Sequence, residues 1–193
     1  MTFNKEKIII RPEKLSEYEK VDKLIYKAFA EQHSIETGKF MMQHFREERK
    51  KDTFIPELSL VAVLENGTIV GEVALHETDI VTENENITQL VLAQSAVLPE
   101  YRMQGIMRRL VEYALEKAEK MGYGAVFLGG NPNLYGRFGF EPSSAYGIYH
   151  ENRKKWGDEG FMVCILKAGV LDDVTGTTCL LYTSPSPRDP KTS

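Results

Sequence analysis

The chain has 193 residues, of which 42% are hydrophobic and 27% charged, a composition that is ordinary for one compact globular domain. The formal net charge of −4 excludes a general electrostatic attraction to nucleic acid or to an anionic membrane, so any anion-binding site must be local. There is no apolar run of about 18 residues and no apolar leader near the start, which predicts a cytoplasmic protein without a membrane span.

Cysteine and histidine are too sparse for a disulfide framework or a metal centre. The two cysteines, Cys164 and Cys179, form no CxxC pair, so we expect reduced thiols. The histidines lack the spacing of metal ligands, and we expect no metal cofactor; they are His33, His44, His76 and His150.

The first half of the chain predicts a strand, two helices and then a hairpin. A β-branched run and two stretches with apolar residues at helical spacing predict a strand over 7–11 and helices over 14–30 and 38–51. Pro56 is expected to break the chain next. Two strands should then follow, joined at Asn66-Gly67, a dipeptide that favours a tight hairpin turn.

The second half alternates strands with one long helix. A nearly continuous apolar run over 87–98 predicts a strand that is buried on both faces. The clearest amphipathic helix covers 105–121 and is expected to stop at Gly122. Further strands are predicted over 124–130, 146–150 and 161–168. Together these patterns predict a mixed sheet with helices on its faces, in the α/β or α+β class.

A short loop, 101–105, separates the buried strand from the long helix. The first turn of a helix leaves backbone amides without partners and carries partial positive charge, so a diphosphate would suit this position. Gly105 would let such a ligand approach the backbone. Positive charge is added by Arg102, Arg108 and Arg109. The alternative is a plain structural turn whose arginines pair with nearby glutamates, because the loop fits neither a P-loop nor a dinucleotide fingerprint.

The segment 129–144 follows the next buried strand and contains Tyr135 on a short turn. Chain order brings this segment to the strand ends, where the ligands of open sheets bind. A phenol at that place could protonate a leaving group. A core tyrosine packed beside Phe138 and Phe140 is the alternative, and both interpretations stay open on these residues alone.

Two motifs resemble those of the GNAT superfamily of N-acetyltransferases. Arg102-Met103-Gln104-Gly105-Ile106-Met107 is similar to its Arg/Gln-x-x-Gly-x-Gly/Ala signature, and Tyr135-Gly136-Arg137-Phe138-Gly139-Phe140 to its Tyr-x-x-x-Gly-Phe signature. Residues 52–75 also resemble the early hairpin of an uncharacterised bacterial subgroup. The resemblance covers about 8–167 and implies a mostly antiparallel sheet that is splayed at its centre and flanked by helices.

The resemblance also implies a reaction and its residues. Acetyl-CoA would be the co-substrate, its acetyl group would pass directly to an amine, and Tyr135 would protonate the CoA thiolate. The residues implied in CoA binding are Val97, Leu98, Arg102, Met103, Gln104, Gly105, Met107 and Arg108, with Asn131 as a further candidate. Met103 and Met107 stand where the family usually has small residues, and helical spacing predicts that Met107 turns into the core.

The acceptor is expected to be a small-molecule or peptide amine, with neither nucleic acid nor membrane as a partner and with a monomer or homodimer as the assembly. The strand over 87–98 offers Gln94 and Ser95 but no carboxylate. Candidate bases elsewhere are Glu31, His33, Glu72 and His76, and none is assigned. For Glu72, a solvated strand carboxylate is the simpler interpretation. A non-catalytic acyl-CoA-binding or partner-binding module and transfer of a longer acyl chain are the competing functions.

The last residues differ in composition from the rest. We expect residues 1–178 to form a single GNAT domain and the proline- and serine-rich stretch 179–193 to be a disordered or non-native tail.

Deleting 179–193 should therefore leave unfolding cooperative and shift Tm by less than about 2 °C, because a tail outside the core contributes little burial. Thermal unfolding followed by circular dichroism measures this. Loss of the cooperative transition in the shortened chain contradicts the assignment of a tail.

Overall fold

The computed structural model describes residues 7–178, so the predicted tail lies outside the described residues. The chain divides into two compact units. Unit 1 comprises Met1–Ala74 and Gln94–Ala114, and unit 2 comprises Leu75–Ala93 and Leu115–Ser193. Three elements run through both units: strand β3 (Ile69–Val81), strand β4 (Asn86–Val97) and helix α3 (Ile106–Lys120).

Unit 1 combines an antiparallel set of strands with two helices that precede it. Its further elements are β1 (Ile9–Pro12), α1 (Tyr18–Gln32), α2 (Ile35–Glu48) and β2 (Phe54–Val63). The strand order is β1-β2-β3-β4. Gly67 has φ of 85° in the turn between β2 and β3, as predicted for this hairpin. The expectation that Pro56 breaks the chain is wrong, because Pro56 lies in the exposed first part of β2, where proline is tolerated.

Helices α1 and α2 pack closely in unit 1 because a glycine lies at their contact. A Cβ on Gly38 would lie 2.6 Å from the carbonyl oxygen of Tyr26, so a larger side chain would force the helices apart. The apolar faces of the two helices are buried; they contribute Val21, Leu24, Ile25, Ala28, Phe29, Met41 and Phe45.

A buried ion network ties α1 and α2 to the strands of unit 1. Arg49, at the end of α2, donates from Nε and Nη2 to the carboxylate of Glu13 at 3.0 and 2.9 Å, and its Nη1 lies 2.5 Å from Asp22. The three side chains are 4%, 2% and 5% exposed. Arg49 also lies over the ring of Tyr18, and Glu13 accepts a bond from the hydroxyl of Ser59. One buried cation therefore compensates two buried acids.

Unit 2 is built around β5 (Ala125–Gly129), which pairs along its whole length with β8 (Phe161–Ile165). Its other elements are α4 (Pro132–Tyr135), β6 (Glu141–Pro142), β7 (Ile148–His150), α5 (Arg153–Gly160) and β9 (Gly176–Thr178). The strand order is β3-β4-β5-β8-β6, with β9 beside β3 and β7. The core includes Ile80, Val91, Phe127, Trp156 and Phe161.

The predicted fold class is confirmed: the sheet is mixed, mostly antiparallel, and flanked by helices. The parallel contact between β4 and β5 joins Leu90 to Val126 and Val91 to Phe127, and it stops before β5 ends at Gly129. Strands β4 and β5 therefore stop pairing before the end of β5, which agrees with the splay predicted for the centre of the sheet. Within the described residues, every helix is too short or too polar to cross a lipid bilayer.

Replacing Arg49 by methionine should destabilise the fold by about 3–5 kcal/mol, because two buried carboxylates would lose their shared cation. The matched variant Arg46→Met removes a partner of Asp22 that is 44% exposed, and it should cost less than about 1 kcal/mol. Urea unfolding measures both. If the two variants lose equal free energy of unfolding, the buried position of Arg49 does not determine its contribution to stability.

Candidate active site

The loop between β4 and α3 leads into the first turn of the helix with an open backbone at Gly105. The amide of Leu98 donates to the carbonyl of Val70 at 2.9 Å, which fixes the end of β4 against β3. Met103 and Gly105 then adopt positive φ values of 61° and 76°. The amide of Arg109 donates to the carbonyl of Gly105, so the amides of 106–108 precede the first intrahelical bond. These amides and the helix dipole form a suitable site for an anion.

Helix α1 holds this loop from the other side of unit 1. Lys27 Nζ lies 2.7 Å from the carboxylate of Glu100. Arg102 donates from Nη2 to the carbonyl of Ala28 at 2.9 Å and from Nε to the carbonyl of Val97 at 3.4 Å. The guanidinium of Arg102 therefore fastens the loop to α1 and to the end of β4.

The other predicted CoA-binding residues of unit 1 differ in their exposure. Met103 is fully exposed, and Gln104 donates to the carbonyl of Glu100 at 3.3 Å. Met107 is half-buried, so it enters the core only in part, in contrast to Val111 and Leu115 in the same stripe. Arg108 is exposed and lies 3.7 Å from Glu112.

Tyr135 lies in unit 2 at the end of α4, where its ring is held by other aromatic rings. It is 9% exposed and packs edge-on against Phe138 and Phe140, at 6.2 and 6.0 Å between ring centroids. Gly130 makes room for it, because a Cβ there would lie 2.6 Å from the tyrosine ring. Asn131 caps α4 by accepting a bond from the amide of Asn133 at 2.9 Å. Tyr135 and Asn131 thus belong to one local structure.

Glu72 is a functional candidate whose environment the sequence did not predict. It is 1% exposed, and both carboxylate oxygens are without a hydrogen-bond partner, so the interpretation as a solvated carboxylate is wrong. Gly71 faces α3, since a Cβ there would meet Leu110 and Ile106 at 3.0 and 3.1 Å. Adjacent strand residues point to opposite faces, so Glu72 points away from α3.

Burial raises the pKa of Glu72 well above its usual range, because the charged form loses its hydration. The nearby carboxylate of Glu13 raises this pKa further, and Arg49 lowers it. A strand pattern of alternating residues predicts the face of Glu72 but not what covers that face. No sequence signal could therefore have revealed this buried acid.

The remaining candidate bases lie on different elements of the chain. His33 is exposed and stacks on Phe29, and Glu31 is exposed and lies 4.0 Å from Arg102. His76 is buried on β3. In the described part of the chain, no group of three or more His, Cys, Asp or Glu side chains is placed to hold a metal ion.

The family model of the acetyltransferase (GNAT) domain matches residues 9–143 of this sequence. The chain belongs to the GNAT acetyltransferase family. The family membership predicted from the two motifs is thereby confirmed, and the chain is an acetyltransferase by descent.

Two curated relatives come from Escherichia coli K12. The uncharacterised N-acetyltransferase YhbS is 36% identical over 129 residues, which cover 66% of this chain and 73% of YhbS. The uncharacterised N-acetyltransferase YjhQ is 33% identical over 108 residues, or 52% of this chain and 59% of YjhQ.

Solved GNAT structures share the fold. The crystal structure of Escherichia coli YhbS in complex with CoA has a TM-score of 0.75 and 29% identity, and the match covers 93% of this chain and 92% of that one. A Brucella melitensis GNAT acetyltransferase in complex with acetyl-CoA has a TM-score of 0.69 and 19% identity, covering 93% and 97%.

Replacing Glu72 by glutamine should stabilise the protein increasingly as the pH rises from about 5 to about 9. The folded state holds the Glu72 proton more tightly than the unfolded chain does. That proton contributes stability which is complete below the unfolded pKa and is lost as the pH rises through the raised folded pKa. Glutamine has no such proton to lose. Urea unfolding across this pH range measures the difference.

The control for this series is Glu57→Gln, at an exposed position of β2. Its effect on the free energy of unfolding should stay small and nearly independent of pH. A Glu72→Gln difference that is constant across the range contradicts the buried, neutral acid.

Proposed function

We propose that this GNAT protein transfers the acetyl group of acetyl-CoA directly to a primary amine, with Tyr135 protonating the departing CoA thiolate. The observation that carries the proposal is the start of α3, where Gly105 leaves the backbone open and the amides of 106–108 precede the first intrahelical bond, Arg109 to Gly105. It is supported by the CoA bound in the structure of YhbS, a relative with 29% identity over most of both chains.

In unit 1, the loop binds the diphosphate of CoA through its backbone. The amides that open α3 donate to phosphate oxygens, and the helix dipole favours the negative charge. Arg108 is exposed and adds a cation at this end of the helix. Arg102 positions the loop, because its guanidinium is already bonded to the carbonyls of Ala28 and Val97. The end of β4, Val97 and Leu98, contacts the pantetheine arm through backbone groups.

In unit 2, Tyr135 supplies the proton for the leaving thiolate. Its ring is fixed by Phe138 and Phe140, so little freedom is lost when the phenol is placed for proton transfer. Acetyl-CoA supplies the activated thioester when bound. The acceptor is a small-molecule or peptide amine, and its nitrogen attacks the thioester carbonyl carbon.

Replacing Tyr135 by phenylalanine should lower kcat about 100-fold and leave the Kd for CoA within about twofold, because only the proton donor is removed. A mass-spectrometric screen of amines with acetyl-CoA first identifies an acceptor, and steady-state kinetics and calorimetry then compare the variants. Tyr113→Phe, an exposed change on α3, is the control and should keep full activity.

The outcomes separate the proposed enzyme from a non-catalytic acyl-CoA-binding module. CoA binding without turnover of any amine favours the module. No binding of CoA at all, in calorimetry at high concentration, overturns both.

A further inference from the structure

Glu72 differs from the two buried acids that share Arg49 in unit 1. Glu13 and Asp22 both pair with Arg49, whereas both oxygens of Glu72 lack a hydrogen-bond partner. Burying an uncompensated carboxyl group costs stability. A side chain of this kind in a native fold calls for an explanation, and a group that binds to the protein is one.

The position of Glu72 connects it to the acyl group of the proposed reaction. It lies on β3 beside the end of β4, since Val70 accepts the amide of Leu98 and a Cβ on Gly71 would approach the carbonyl of Ala96 to 3.3 Å. Gln94, on the same end of β4, is also buried, and neither polar atom of its amide has a hydrogen-bond partner. Two polar side chains on neighbouring strands therefore lack partners.

We propose that Glu72 binds the primary ammonium group of the acceptor and takes a proton from it, which makes Glu72 the general base of this acetyltransferase. The inference rests on the proposed function and adds the class of acceptor: a slim, unbranched primary amine. Gln94 supplies the second polar group of this subsite.

Charge balance explains how a buried acid can serve this purpose. The subsite is neutral when Glu72 carries its proton, and burial favours that form. An ammonium ion that enters replaces the proton, so the subsite stays neutral and one proton leaves to solvent. Because the carboxyl group is 1% exposed, bulk solvent competes little with the ammonium group there.

One N–H proton of the ammonium group passes to the Glu72 carboxylate, and the freed lone pair of nitrogen forms the C–N bond to the acetyl carbon. The C–S bond breaks, its electron pair stays on sulfur, and Tyr135 donates a proton to give the CoA thiol. The second N–H proton passes to solvent, Tyr135 regains its proton from solvent, and Glu72 keeps the proton it took, which restores its neutral form. The products are the N-acetyl amine, CoA and one proton.

The close burial of Glu72 sets the specificity. The carboxyl group is 1% exposed, so any amine that reaches it must have a compact head group with N–H donors and a thin alkyl stem. Quaternary ammonium ions carry no N–H and are wider, so they should be rejected. Branching beside the nitrogen should weaken binding for the same steric reason.

The binding test uses the full chain saturated with CoA, with n-butylammonium chloride as the probe and tetramethylammonium chloride as the control ion. Butylammonium should raise the Tm of the wild type in a concentration-dependent way, and tetramethylammonium should not. Glu72→Gln should lose this rise, whereas Glu57→Gln, an exposed carboxylate on β2, should keep it. Equal Tm shifts in wild type and Glu72→Gln, or no shift in the wild type with any n-alkylammonium ion, overturn the inference.

A second readout follows the proton. Below the pKa of Glu72, the apparent affinity of the wild type for butylammonium should rise about tenfold per pH unit, since one proton leaves for each ion bound. With the acceptor found by the amine screen, Glu72→Gln should lower kcat about 100-fold and flatten this pH dependence, while the Kd for CoA stays unchanged. Normal turnover by Glu72→Gln overturns the role of Glu72 alone, whereas failure to bind CoA overturns the proposed function itself.

Discussion

An anion site in unit 1 depends on one constraint: the backbone at the start of α3 must be open and must also be held still. Free amides in a mobile loop would lose conformational freedom when an anion binds, and that loss would reduce affinity. The loop avoids it through contacts on both sides. The Leu98–Val70 bond holds the strand end, and the Lys27–Glu100 pair and the Arg102–Ala28 bond fasten the loop to α1. The guanidinium of the motif arginine, Arg102, is thus bonded to carbonyl groups of the chain itself.

The buried charges of unit 1 show how stability and function separate within one fold. Arg49 satisfies Glu13 and Asp22 together, and this network holds α1 and α2 against the strands. Glu72 lies within electrostatic reach of the same network, yet no cation bonds to it. An apolar residue would serve a purely structural strand better. A buried polar side chain that has no partner and does not stabilise the fold is typical of a binding or catalytic position.

The parts of the fold that depend on local chemistry could be predicted from the sequence. Turn chemistry at Asn66-Gly67 and the helical period of α3 are local signals, and both were correct. The strands β6 and β9 are too short to show a period, and the start of β2 tolerates Pro56 because it is exposed. In the candidate site, the two motifs predicted the loop and Tyr135 as functional residues. The Arg102–Ala28 bond joins residues 74 apart, and the cover over Glu72 is likewise tertiary, so neither could be predicted.

Met103 in the loop and Met107 in the first turn of α3 stand where the GNAT family usually has small residues. Met103 holds a left-handed φ of 61°, which costs a non-glycine residue about 1 kcal/mol, and its side chain is fully exposed. The backbone at Met103 thus has the left-handed conformation that glycine adopts most readily. Crowding of a diphosphate therefore depends on Met107, which is half-buried on α3. Methionine is unbranched and flexible, so its side chain can move aside at low cost. In the proposed binding mode the diphosphate contacts backbone N–H groups, which methionine retains, so both methionines are compatible with that mode.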